Sequence, residues 1–133
     1  MYTVNYPEKR TFIPFDKEQY LLYLGETPAT YVPQAAAIDA GETPDPVNGF
    51  SYSGDYPDGG TLIKAKEPSY EAFVSGLIRK RYSADEVEAL QANMVETLAN
   101  KEHPRAEEFA QRWTEFQEYR DECKANARAV LGL

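Results

Sequence analysis

Apolar residues recur at three- and four-residue spacing through the second half of the chain, and two serines stand where helices would start. Ser69 suits a cap for a helix whose stripe is Phe73, Val74, Leu77 and Ile78, with Gly76 weakening it without breaking it. Ser83-Ala84-Asp85-Glu86 has the spacing of a capping box and opens a second helix with Val87, Leu90, Met94 and Leu98 on one face. Beyond His103-Pro104, the residues Ala106, Phe109, Trp113, Phe116, Arg120, Cys123, Ala127 and Val130 are spaced alternately by three and four, a heptad seam on one long helix. The expected helices cover 69–81, 83–100 and 105–131, and the short His-Pro connection folds the last one back on its predecessor. Trp113, with Phe109 and Phe116, is the expected hub of that core. A second copy of the chain could also cover the seam, so a homo-oligomer stays open.

The first half has a different pattern. Seven of the nine prolines lie between Pro7 and Pro57, interleaved with Tyr20, Tyr23, Tyr31, Phe50 and Tyr52. Proline fixes φ and removes a donor, so short extended segments and turns are expected. Phe50-Ser51-Tyr52-Ser53 and Thr61-Leu62-Ile63-Lys64 flank a Pro-Asp-Gly-Gly turn, the pattern of a β-hairpin. Gly25 to Gly49, with four prolines and an alanine-rich middle, reads as a long loop or arm. Its Gly-Glu-Thr-Pro at 25–28 and 41–44 is coincident turn chemistry, since a structural repeat needs more periods. The fold class is therefore α+β: a small N-terminal β region with a hairpin and a long Pro-rich loop over 1–66, then a C-terminal helical hairpin within 67–133.

Composition sets the outer bounds. At 133 residues, with 42% hydrophobic and 27% charged residues, the chain has the length and apolar content for a modest core. The formal charge is −8, and both parts are acidic: five basic against nine acidic residues up to Lys66, nine against thirteen after it. Nucleic-acid affinity comes chiefly from Lys and Arg neutralising phosphates, so no nucleic-acid partner is expected. Arg79-Lys80-Arg81, the one dense basic run, reads as a solvated helix end. There is no basic segment followed by an apolar core at Met1–Pro7 and no run of about 18 apolar residues, so no membrane partner is expected either. The expected location is the cytoplasm of the producing cell.

Candidate chemistry is sparse. Cys123 and His103 are the only residues of their types, which makes a Cys–His dyad the one nucleophilic option. Cys123 falls on the heptad seam, where cysteine behaves as a small buried hydrophobe. Asp55 and Asp58 beside Gly59 and Gly60 resemble a fragment of a calcium loop, but the further oxygens at the needed spacing are missing, and a plain turn is favoured. No metal, cofactor or catalytic residue is expected. Ten tyrosines, six phenylalanines and a tryptophan ask for explanation: such side chains serve either as core or as contact surface. The arm and hairpin carry Tyr31, Val32, Ile38, Val47, Phe50 and Tyr52, too many to bury locally in an irregular loop. They form the expected partner-binding surface.

Gly49-Phe50-Ser51-Tyr52-Ser53-Gly54, Asp58-Gly59-Gly60-Thr61-Leu62-Ile63 and Leu77-Ile78-Arg79-Lys80-Arg81-Tyr82-Ser83-Ala84-Asp85-Glu86 resemble small proteins of Bacteroidales phages and prophages. The stretch from Glu107 to Lys124, with its Tyr119-Arg120 pair, adds to the likeness. The layout is similar to phage tail-fibre assembly proteins, which place a small β domain before a terminal helical segment. The resemblance covers roughly residues 49–131. It implies a non-enzymatic accessory that binds a tail-fibre or other tail protein as an assembly chaperone in the bacterial host. The alternative it leaves is a tail or baseplate component retained in the virion, and a small hydrolase using Cys123 is the remaining class.

Overall fold

The computed structural model describes residues 1–33 and 45–133, and they form an α+β protein with two antiparallel sheets followed by three helices. The chain divides into two compact units, Met1–Leu62 and Ile63–Leu133.

The first sheet contains β1 (Tyr2–Tyr6), β5 (Val47–Gly54) and β4 (Thr27–Tyr31) in the order β1-β5-β4. Val4 pairs with Tyr52, Tyr6 with Phe50, Pro28 with Phe50 and Tyr31 with Val47. Because side chains alternate across a strand, Val4, Tyr6, Phe50 and Tyr52 share one face, while Thr3, Asn5, Thr27, Ser51 and Ser53 share the other. Tyr52 is fully buried on the first face, and Thr3 and Ser53 join their hydroxyls at 2.9 Å on the second. Pro28 sits on β4, an edge strand of this sheet, where proline is tolerated.

The second sheet contains β2 (Phe12–Pro14), β3 (Gln19–Leu22) and β6 (Thr61–Lys64) in the order β2-β3-β6. β2 and β3 form a hairpin whose turn is held by Asp16 Oδ1, which accepts from Glu18 N at 2.8 Å. Leu21 and Leu22 supply its buried aliphatic side chains.

Two expectations for this half are corrected. The strands on either side of the Pro-Asp-Gly-Gly turn do not pair as a hairpin: β5 enters one sheet and β6 the other. The turn itself forms, with Tyr56 N to Gly60 O and Gly59 N to Tyr56 O both at 2.9 Å and Gly59 at φ +85°. The alternation that marks a strand is equally satisfied by either partner, so the pattern left the pairing undetermined. Nor is 25–49 a loop throughout. Thr27–Tyr31 is a strand laid along β5, because the β-branched and aromatic residues there outweigh Pro28 at an edge.

In Ile63–Leu133 the helices are α1 (Tyr70–Ile78), α2 (Ala84–Ala99) and α3 (Ala106–Leu131). Ser69 Oγ accepts from Ala72 N at 3.2 Å, and Ser83 and Glu86 close the capping box. Helix α3 is about 39 Å long at 1.5 Å per residue and packs against both α1 and α2. Phe109, Phe116, Cys123, Ala127 and Val130 of the seam are buried, together with Phe73, Leu77 and Ile78 of α1. Gly76 faces Ile63 and Lys64: a Cβ there would meet Lys64 O at 2.5 Å, so glycine is what lets α1 approach that strand. Trp113 is only half-buried, its ring 5.7 Å from that of Phe116, so Phe116 rather than Trp113 is the centre of this core. Helix α2 buries none of its residues.

Candidate functional site

In the unit Met1–Leu62, the apolar face of the β1-β5-β4 sheet is lined by tyrosines that the strand alternation turns inward. The rings of Tyr6, Tyr23 and Tyr52 lie 5.7 to 6.1 Å apart, and the Arg10 guanidinium sits 4.4 Å from the centres of both the Tyr6 and Tyr23 rings. Arg10 Nη2 also donates to the Tyr23 hydroxyl at 3.0 Å, and Arg10 N donates to the Tyr52 hydroxyl at 2.8 Å. The phenols in turn donate to acceptors: Tyr23 to Asp58 Oδ2 at 2.6 Å, Tyr52 to Glu26 Oε1 at 2.7 Å, and Tyr6 to the Asp58 carbonyl. The second oxygen of Asp58 accepts from Gly60 N at 2.8 Å, which locks the Pro-Asp-Gly-Gly turn to the cluster.

Burial, as the leading cause, pushes the hydroxyl pKa of Tyr6, Tyr23 and Tyr52 up, and the neighbouring carboxylates of Asp58 or Glu26 add to it. These phenols therefore stay protonated at neutral pH and act as donors. Among the described residues no buried side-chain nitrogen or oxygen lacks a hydrogen-bond partner. A closed network of this kind holds strands in place and offers no unsatisfied group to a ligand.

The six residues expected to contact a partner are thus separated. Tyr52 is fully buried and hydrogen-bonded, which corrects its assignment to the surface. Phe50 is half-buried on the same face, paired with Tyr6 and Pro28. Tyr31 and Val47 pair on the opposite face at the far end of the β4–β5 hairpin, and Val32 beside them is 52% exposed. Ile38 lies outside the described residues. Strand alternation, had β4 been recognised, would have divided Tyr31 and Val47 from Phe50 and Tyr52.

In the helical unit, His103 and Cys123 are held apart. His103 Nε2 lies 3.1 Å from Glu96 Oε1 and its Nδ1 accepts from Arg105 N at 3.0 Å, while Cys123 stands about 26 Å along α3 from Ala106. Cys123 is 2% exposed, and burial raises its thiol pKa, so it carries a protonated thiol, hydrogen-bonded with the neighbouring Tyr119 hydroxyl. A cleft of about 250 Å³ between α2 and α3 is lined by Tyr82, Glu86, Leu90, Asn93, Arg112 and Glu115. Arg112 is engaged by Glu108 at 2.7 Å, and Glu86 is used in the capping box. Among the described residues no group of three or more metal-ligating side chains comes together, and no helix is long and apolar enough to cross a membrane.

Arg10 and Glu26 escape the sequence reading, and Asp58 reads only as part of a turn, because nothing in their spacing ties them to tyrosines thirteen to fifty-two positions away. No family model, curated protein or solved structure matches the chain.

Proposed function

We propose that the protein works by binding rather than by chemistry, as a phage accessory that holds a tail-fibre or other tail protein during assembly. The observation that carries this reading is the far end of the β4–β5 hairpin. There Tyr31 and Val47 pair, half-buried, on the face that carries Ala29, Gly49, Thr27, Ser51 and Ser53, and Val32, just beyond β4, is 52% exposed, so the three make an apolar tip. The tyrosine–arginine network on the other face helps hold the β-strands that carry the tip, which lowers the ordering cost on association. The acidic surface and the satisfied polar interior agree with a binding role.

Co-expression with the tail-fibre protein of the same phage tests the reading. Wild-type protein is expected to co-purify with it, and a Tyr31→Ser, Val32→Asp variant to lose it while keeping its circular dichroism. Retained co-purification by the folded variant removes the tip from the binding surface. Mass spectrometry of purified particles then separates a chaperone, absent from them, from a retained virion component.

A further inference from the structure

The apolar face of helix α2 is wider than the part that packs on α3. Val87, Leu90 and Met94 are half-buried. At 100° per residue, Leu98 stands about 20° beyond Val87, and Leu98, Val95, Ala99 and Ala92, with Gln91 among them, extend the same face over a further arc of about 120°. All four are exposed, Val95 at 65% and Leu98 at 70%. Glu88 lies within this arc and Asp85 and Glu96 flank it, whereas α2 contains no lysine or arginine. Glu96 is engaged by His103, while Asp85 and Glu88 make no ion pair among the described residues.

We infer that this stripe of α2 is a second docking surface, distinct from the β4–β5 tip, and that its occupant is a cationic amphipathic helix of a partner protein. The apolar arc supplies contact area of the kind an amphipathic helix lays against a groove. The charges choose among occupants. A second copy packed on α2 would bring Glu88 and Asp85 against their own kind, and an anionic lipid surface would be repelled. A lysine-bearing helix instead pairs with both carboxylates while its leucines cover Val95 and Leu98.

The test uses the full chain and a fluorescent helical peptide of leucine and lysine in a heptad pattern, with a scrambled peptide of the same composition as control. Anisotropy is expected to show binding roughly tenfold tighter for the patterned peptide, and a Val95→Ser, Leu98→Ser variant is expected to lose about that factor. Glu88→Lys is expected to weaken binding and its salt dependence. Because both apolar side chains are exposed, the serine variant should fold, as circular dichroism would verify; Leu98→Gln alone is a milder second variant. Equal binding of the two peptides, or binding indifferent to the serine and glutamine variants, overturns the proposal. So does a dimer in sedimentation that the serine variant dissolves, or a preference for anionic vesicles that the same variant abolishes.

Discussion

In Met1–Leu62 the rings of Tyr6 and Tyr23 flank the Arg10 guanidinium, and the hydroxyls of Tyr6, Tyr23 and Tyr52 donate hydrogen bonds to Asp58 and Glu26. In Ile63–Leu133 the interior is Phe73, Leu77, Phe109, Phe116, Ala127 and Val130, with the thiol of Cys123 among them. Hydrogen bonds are directional and costly to leave unmade, so the strand unit has one geometry in which its polar groups are satisfied. Hydrocarbon packing has no such directionality. Apart from Tyr119, whose hydroxyl donates to Leu77 O at 2.8 Å, the helical unit owes its stability mainly to volume and area, and tolerates swaps that conserve them.

The largest expected effect is in the helical core. Phe116→Ala should destabilise the Ile63–Leu133 unit by about 3–5 kcal/mol, the usual cost of a cavity left by a buried phenylalanine. Trp113→Ala, at a half-buried position, should cost clearly less in the same denaturant titration. An equal or larger loss at Trp113 would return the hub to the indole.

Next is Tyr23→Phe, which keeps the ring but removes the hydroxyl bonded to Arg10 and Asp58. A loss of about 1–3 kcal/mol is expected, carried by the strand unit. If the phenylalanine variant is as stable as wild type, the polar network contributes little and the contrast between the units falls.

Alkaline pH sharpens the same contrast. The folded-state pKa values of Tyr6, Tyr23 and Tyr52 lie above the ordinary 10.0, so unfolded tyrosines give up their protons first. The stability these groups contribute is complete below pH 10.0 and falls as pH rises through the window above it. The helical unit has the same liability at Tyr119, pushed up to about 12, chiefly by burial. Following tyrosinate absorbance and circular dichroism together should show β structure lost before helix; simultaneous loss would contradict this. The smallest effect is Ser83→Ala, which opens the capping box on α2 and should cost about 1 kcal/mol.

The helical unit was legible because its information is local. Ser69, the Ser83–Glu86 box and the three-four spacing from Ala106 to Val130 place α1, α2 and α3 within a few residues of their ends. What spacing could not convey was depth: Trp113 occupies a seam position yet stays half-exposed, since α1 and α2 meet α3 at different places along its length. The strand unit was legible as extended segments but not as sheets. Its pairings join residues as distant as Tyr2 and Gly54, and its network depends on Arg10, Glu26 and Asp58, whose partners no periodicity announces. Tyr52 shows the consequence: an aromatic in a tyrosine-rich segment, read as contact surface, is a fully enclosed ring of the interior.

Hydrogen–deuterium exchange of the protein with and without a co-expressed tail-fibre protein tests the central claim most directly, because it reports on both units at once. Binding through the β4–β5 tip predicts added protection at residues 27–32 and 45–50, with the interior of α3 unchanged. Unchanged exchange in those two segments, with protection gained only over Ala106–Leu131, would contradict it and move the contact to the heptad helix.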